Sequence, residues 1–131
     1  MKAKTKGAGP DRTAADDGRV AGEDAAAIAG LPDAKVIRRA AEQIKKAADP
    51  TRVGVLILLH AGAFNVNAMA RIFGTSQPAL SHHLAMLRHG GLIYADRRGK
   101  ENYYRLTDLG RGLAEITLRV TRRLAGPAAT R

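Results

Sequence analysis

The chain has 131 residues, 45% hydrophobic and 26% charged, which suits one modest folded domain but not two large ones. It contains no cysteine, so disulfides, thiolate metal ligands and thiol redox sensing are excluded. The net charge is +10, and because residues 1–32 hold five acids and five bases, the whole excess lies in residues 33–131. A basic folded part attracts polyanions, most often nucleic acid.

The two ends of the chain are predicted to be tails, residues 1–32 and 126–131, on either side of one folded domain, residues 33–125. Residues 1–32 have almost no large apolar side chain before Ile28, so burial cannot offset the entropy of ordering them. The N-terminus lacks the apolar segment of a secretory signal, and the longest apolar run is far too short to cross a bilayer. We therefore expect a cytoplasmic protein with no membrane partner.

Two helices are predicted at the start of the domain. The first, Asp33 to Ala48, has an apolar stripe that would suit a subunit interface, formed by Val36, Ile37, Ala40, Ala41, Ile44 and Ala48. Asp49 and Pro50 then favour a new helix, with the carboxylate as N-cap and proline at the first position. This second helix, Pro50 to His60, contains the run VGVLILL and is predicted to be the central core helix.

A short strand and a third helix follow. Phe64-Asn65-Val66 is extended enough to be a strand, Asn67 is the candidate cap of a helix from Ala68 to Phe73, and Gly74 supplies a turn. Within this helix the candidates for burial are Met69, Ile72 and Phe73.

The stretch from Thr75 to Leu92 is predicted to be a helix with two different faces. Thr75 or Ser76 can cap it, Pro78 suits its first turn, and Gly90-Gly91 ends it. An apolar rear is formed by Leu80, Leu84 and Leu87, which share one face. Helix, glycine-containing turn and helix with a polar front is the helix-turn-helix arrangement.

Beyond Gly91 the apolar pattern alternates, which predicts two strands, Leu92 to Arg97 and Asn102 to Leu106, joined by a turn from Arg98 to Glu101. A strand pair with a basic tip directly after such a helix is a wing. Tyr103 and Tyr104 alternate across the second strand, so at least one is expected in the core.

A last helix is predicted to start at Thr107 or Asp108 and to end at Gly126-Pro127. Its apolar residues recur at helical spacing and need a partner surface: Leu109, Leu113, Ile116, Val120 and Leu124.

Three segments resemble the ArsR/SmtB family of winged-helix repressors, in the family's order and spacing: ADPTR (48–52), SQPALSHHLAMLRHGGL (76–92) and DRRGKENYYRLT (96–107). The resemblance implies a mainly α fold with a small β hairpin (α+β), a winged helix-turn-helix that dimerises through its first and last helices. It also implies a palindromic operator and repression that an inducer relieves. The implied interface residues are Ile37, Ala41, Ile44, Leu109, Leu113, Ile116 and Val120.

The sequence departs from the family at its metal sites. Metal-sensing members commonly carry Cys-Val-Cys where Asn65-Val66-Asn67 stands here, and amide oxygens are poor ligands for soft ions. Others use Asp, His and Glu on the last helices, but no histidine follows His89. His82 and His83 are about 100° apart on a helix and cannot easily converge on one ion, so His82 is expected to face DNA and His83 to pack. No metal or cofactor is predicted, while an unconventional site across a dimer and the identity of the inducer stay open.

On the DNA-binding hypothesis, base readers and backbone contacts separate by position and chemistry. The base-reading candidates are Gln77, Pro78, Ser81 and His82. The backbone candidates are Ser76, Arg71, Arg88, Arg97, Arg98 and Lys100. Gln77 and Ser81 could instead support the helix start, and Arg88 could only solvate the helix end.

The polar helix front and basic wing predict a sequence-specific regulator of double-stranded DNA, and the resemblance implies a homodimeric repressor. No enzyme is predicted, since no phosphate loop, metal cluster or catalytic triad context is present. Two alternatives remain. One is an architectural protein indifferent to DNA sequence, and the other is a dimeric module whose wing and helix bind an acidic protein.

Overall fold

The computed structural model of the protein describes residues 29–127, and the predicted tails lie largely outside that range. Two units divide the chain, Met1–Ile37 and Arg38–Arg131. Within residues 29–127 the helices are α1 (Ala34–Ala47), α2 (Pro50–Ala61), α3 (Val66–Phe73), α4 (Gln77–His89) and α5 (Asp108–Ala125), and the strands are β1 (Phe64–Asn65), β2 (Ile93–Arg98) and β3 (Glu101–Leu106). None of these helices has the length and apolar character needed to cross a membrane. The predicted winged helix-turn-helix order is confirmed.

Side-chain caps fix where the helices begin. Asp49 accepts from the backbone N–H of Arg52 at 3.1 Å, and Pro50 occupies the first turn of α2, as predicted. In the first unit, Asp33 accepts from Lys35 N–H at 3.0 Å at the start of α1. Caps of this kind satisfy backbone donors that a helix leaves free at its start.

The predicted cap of α3 was wrong. Asn65, and not Asn67, caps the helix, because its Oδ1 accepts from Ala68 N–H at 2.8 Å. The backbone of Asn65 is extended, with φ −87° and ψ 167°, so the same residue pairs with Tyr103 in the sheet and starts the helix. Val66, predicted to be in the strand, is therefore the first residue of α3.

The core lies between α2, α4 and the sheet. Val55, Leu56 and Leu59 of α2 are buried, which confirms this helix as the central one. The predicted rear face of α4 is confirmed too, since Leu80, Leu84 and Leu87 are buried. In α3, Met69 is buried and Phe73 packs against the core, but the predicted burial of Ile72 was wrong: its residue surface is 53% exposed. An eight-residue helix that contacts α4 on one side leaves its far face in solvent.

The sheet has three antiparallel strands in the order β1-β3-β2. Ile93 pairs with Leu106 at one end of the hairpin, and Arg98 pairs with Glu101 at the other. The turn is thus two residues long, Gly99-Lys100, and shorter than the predicted four-residue turn. Gly99 has φ 64°, which a residue without a Cβ adopts at little cost and which lets the strands reverse this tightly. Tyr104 packs against the core, as the alternation predicted for at least one of the tyrosines.

A close junction ties the end of α4 to the start of α5. Gly91 and Leu92 close α4 by donating to the carbonyls of Arg88 and Leu87 at 2.9 and 3.0 Å. Thr107 then caps α5 and also holds this end, since its Oγ1 donates to Gly91 O at 2.6 Å and its N–H to Leu92 O at 3.1 Å. The helix that carries the polar front is therefore bonded directly to the last helix.

Candidate DNA-binding surface

The start of α4 presents four predicted base readers to solvent. Ser76 is the N-cap, accepting from Ala79 N–H at 3.2 Å, and Pro78 follows in the first turn. The buried leucines fix the rotation of the helix, so that the first two turns direct their polar side outward. The exposed side chains there are Gln77, Pro78, Ala79, Ser81 and His82.

A polar groove lies between this helix and the wing. It has a volume of about 350 Å³, and Gln77 and Ser81 form one wall while Lys100 lies on the wing side. The structure thus brings two predicted base readers together with one predicted backbone contact. The sequence reading missed the other lining residues, which are Asn65, Val66, Asn67, Glu101, Asn102 and Tyr104. The predicted turn already included Glu101, but the approach of the wing to α3 and α4 depends on contacts between distant parts of the chain.

Asn65 braces the wing against α3. Its Nδ2 donates to the Glu101 carboxylate, while its Oδ1 caps α3. Both ends of the amide are therefore in use inside the fold. Among residues 29–127 no group of three or more His, Asp or Glu side chains is placed to hold a metal ion.

The wing arginines are not equivalent. Arg98 forms an ion pair with Asp96, with Nη2 and Oδ2 3.1 Å apart, and Arg105 pairs with the same oxygen at 3.0 Å. The hydrogen bonds from Arg105 and then Arg98 lower the pKa of the Asp96 carboxyl. Arg97 has no such partner among the described residues and donates its Nε to Gly99 O at 2.8 Å. The sequence predicted Arg97 and Arg98 alike as DNA-backbone contacts, and Arg105 was not among the predicted residues.

The remaining backbone candidates are spread more widely. Arg71 is exposed on α3, and Arg88 is exposed in the last turn of α4. Arg88 lies eleven residues after Gln77, roughly 16 Å along the helix axis. It is not among the residues that line the polar groove.

The rear of α4 carries a polar contact that the sequence reading did not foresee. Arg52 Nη1 lies 3.1 Å from His83 Nδ1, and because a guanidinium only donates, Nδ1 is the acceptor. Asp49 Oδ2 lies 3.6 Å from the same ring nitrogen. The pKa of Asp49 is lowered, chiefly by the backbone hydrogen bond from Arg52 and less by the charge of the Arg52 guanidinium. His83 is half-buried, in agreement with its predicted packing, and His82 is exposed, while its contact with DNA stays a prediction.

Comparison with known proteins shows which family the chain belongs to. Residues 49–95 match the family model described as bacterial regulatory protein, arsR family. The transcriptional repressor SdpR of Bacillus subtilis is 39% identical over 62 residues, which cover 47% of this chain and 69% of SdpR. The chain belongs to the ArsR/SmtB family.

Another relative and two solved structures are also similar to this chain. The HTH-type transcriptional regulator NmtR of Mycobacterium tuberculosis is 34% identical over 58% of this chain, and the chain spans 63% of the length of NmtR. Among solved structures, the homodimeric winged helix-turn-helix DNA-binding domain Mb0332 from Mycobacterium bovis has a TM-score of 0.61 and 32% identity, covering 73% of this chain and 93% of that one. The transcriptional repressor BigR from Xylella fastidiosa has a TM-score of 0.61 and 29% identity, covering 66% and 86%.

Proposed function

We propose that the protein is a sequence-specific, double-stranded DNA-binding repressor that works in the cytoplasm and carries no catalytic activity. The observation that supports this most directly is the polar, exposed start of α4, held by a capped N-terminus and a buried leucine face. A major groove admits one α-helix, and its floor offers donors and acceptors in a pattern unique to each base pair. Relatives named as transcriptional repressors support the same function.

Base reading falls to Gln77, Ser81 and His82, with Pro78 available for contact with a thymine methyl. Gln77 has the two-pronged amide that pairs with adenine, and hydroxyl and imidazole groups contact several base edges. Lys100 and Arg97 of the wing, with Arg71 and Ser76 near the start of α4, contact phosphates and set the register. We expect Arg98 to contribute less to phosphate binding, because Asp96 already compensates its charge.

The active form is a homodimer built from α1 and α5. Large apolar residues of both helices are exposed in the protomer, including Ile37 on the first unit's part of α1 and Ile44, Leu109, Ile116 and Val120 on the second unit. Ile44, Leu109, Leu113 and Ile116 also line an almost wholly apolar groove of about 300 Å³. The Mb0332 domain is homodimeric, which supports a second copy as the partner. A two-fold axis would match a palindromic operator with half-sites about 34 to 36 Å apart.

Release from DNA in this protein does not use the family's common metal ligands. The position of the first family cysteine is held by Asn65, whose amide caps α3 and contacts Glu101. Calorimetry with zinc and nickel is expected to show no tight site that weakens operator binding. One high-affinity ion per protomer with that effect would contradict this part of the proposal.

The function is tested by titrating labelled duplexes with the protein, comparing its own promoter region with random sequence at fixed salt. We expect tight, salt-sensitive binding to a palindrome in the promoter. Replacing Gln77 or His82 with alanine should lower operator affinity by about tenfold while leaving random-duplex affinity almost unchanged. Equal affinity for both duplexes would favour an architectural protein, and binding of an acidic protein unaffected by both substitutions would favour the interaction module.

A further inference from the structure

A second basic groove lies behind α4, away from the polar groove at its front. It has a volume of about 450 Å³ and is lined by Glu42, Lys45 and Lys46 of α1, Arg52 of α2 and Met86 of α4. Three cations thus share one concavity with a single carboxylate. A concave site lined by one sign of charge raises the local concentration of the opposite ion.

The cations of this groove are short of partners within residues 29–127. No ion pair joins Lys45, Lys46 or Arg52 to a carboxylate there, and Asp49, which lies close to Arg52, is occupied as the cap of α2. The Nε of Arg52 is buried and has no hydrogen-bond acceptor. Buried donors are nearly always satisfied in native proteins, so a movement of the Arg52 side chain that brings Nε to an acceptor would be favourable.

The helix dipole of α1 explains only some of the cations in this groove. Lys45 and Lys46 are in the last turn of α1, where cations offset the negative end of the helix dipole. That effect does not require a cavity, and it does not account for Arg52, which comes from the start of the next helix. The convergence of two elements on one groove is what a binding site needs.

We propose that this groove binds the phosphate group of a small anionic ligand, which acts as the inducer. Phosphate offers several strong acceptor oxygens to the ammonium groups and to the planar guanidinium, and such charge-assisted bonds are short and strong. Met86 supplies an apolar wall, which suits a phosphate monoester with a small organic body.

Arg52 connects this groove to the DNA-reading helix, a step that rests on the proposed function. The same guanidinium donates its Nη1 to His83 of α4 at 3.1 Å. A phosphate that draws Arg52 toward the lysines competes with this bond and loosens the hold of α2 on α4. Operator affinity therefore falls when the groove is filled, because the ligand binds the loosened state better.

Binding is tested first without DNA, with inorganic phosphate as the probe and chloride keeping the ionic strength constant. In NMR spectra of the full chain, the Arg52 Nε–H and His83 ring signals should shift in a saturable way. The Lys45→Gln/Lys46→Gln variant should need roughly tenfold more phosphate or worse, since it loses two charge-assisted bonds. Lys35→Gln, on the same helix but outside the groove, should behave as wild type. Non-saturable shifts, or equal shifts in the double variant, would overturn the site.

The coupling is tested separately, by measuring operator affinity with and without phosphate at constant ionic strength. Wild type should lose affinity when phosphate is added, and the double variant should not. If the double variant alone loses as much affinity as phosphate causes, the groove holds a phosphate of the DNA backbone, and the small-ligand proposal is overturned. If no operator is bound at all, the proposed function fails, while saturable phosphate binding would still stand.

Discussion

Gly110 is a buried residue of α5 that lies close to the backbone of Leu92. A Cβ on this residue would lie 1.8 Å from Leu92 O and 2.8 Å from Leu92 C. Leu92 cannot retreat, because its N–H and carbonyl are both bonded, to Leu87 and to Thr107. We expect Gly110→Ala to lower the free energy of unfolding by about 3 kcal/mol or more, since overpacking against fixed backbone has no flexible side chain to move.

A matched control lies two residues further along the same helix. Within the protomer a Cβ added to Gly112 would meet nothing within 4 Å, so Gly112→Ala should stabilise the helix of the separated protomer by about 0.5 to 1 kcal/mol. Urea denaturation of both variants, followed by circular dichroism, measures the difference. Similar stability of the two variants would show that the junction between α4 and α5 is not tight.

The free energy of unfolding of the protein should depend on pH through Asp49. Its pKa in the folded protein is below the ordinary value of 3.8, chiefly because its carboxylate accepts from Arg52 N–H. A group with a depressed folded pKa contributes stability above its unfolded pKa, and that contribution is lost as the pH falls through the folded value. We expect Asp49→Asn, which keeps a cap, to lose less stability than wild type on acidification below about pH 4.

A second substitution distinguishes the contribution of the cap to stability from that of the charge. Asp49→Ala should cost about 0.5 to 2 kcal/mol at neutral pH, because Arg52 N–H then lacks its acceptor. Thermal unfolding from about pH 7 down to about pH 3 compares the three proteins. An acid slope in Asp49→Asn as steep as in wild type would assign the pH dependence to other carboxylates, such as Asp96.

Sequence patterns predicted single residues well where one interaction decides the outcome. Asp49 acts as the predicted cap and Ser76 as one of two predicted candidates, because a short polar side chain before an apolar run has few other uses. Thr107, predicted only as a possible start of the last helix, is its cap. Asn65 was missed because sheet pairing with β3, a partner far along the chain, extends its backbone and shifts the helix start. The contact of Arg52 with His83 was missed for the same reason, since 31 residues separate them.

In the wing, a salt bridge changes which of the predicted basic residues keep an uncompensated charge. Asp96 is paired with both Arg98 and Arg105, so one carboxylate compensates part of the charge of two arginines. The pairing faces one side of the hairpin, since Asp96 and Arg98 are two residues apart on β2, while Arg97 faces the other. Alternation along β2 was readable from the sequence, but the pairing across to β3 needed the register.

This asymmetry predicts unequal roles in DNA binding. Arg97→Ala should weaken operator binding more than Arg98→Ala, and it should reduce the slope of log affinity against log salt by about 1. Fluorescence anisotropy at several salt concentrations measures both quantities, with Arg98→Ala as the matched comparison on the neighbouring residue. An equal or larger loss for Arg98→Ala would mean that Asp96 releases its arginine when DNA binds.

Two apolar faces of the molecule remain without a partner among residues 29–127 of the protomer. The predicted stripes on the first and last helices form as periodicity indicated, yet Ile44, Ile116 and Val120 are each about half exposed. Periodicity reports that a face is apolar, but it cannot tell burial within one chain from burial against another. The resemblance to the family implied that a second copy of the chain is the partner. Ala114 is buried in the protomer core, so the opposite side of α5 already packs within the protomer.

Disrupting the exposed face of α5 should therefore separate the protomers without unfolding them. Ile116→Glu places a charge within the proposed interface, where burial without a partner is costly, so the variant should sediment as a monomer. Arg111→Glu changes an exposed residue of the same helix outside the apolar groove and should remain dimeric. Because a monomer engages one half-site alone, Ile116→Glu should bind the palindrome about 10²-fold more weakly, yet bind an isolated half-site as wild type does. A dimeric Ile116→Glu with undiminished operator affinity would contradict an interface on this face of α5.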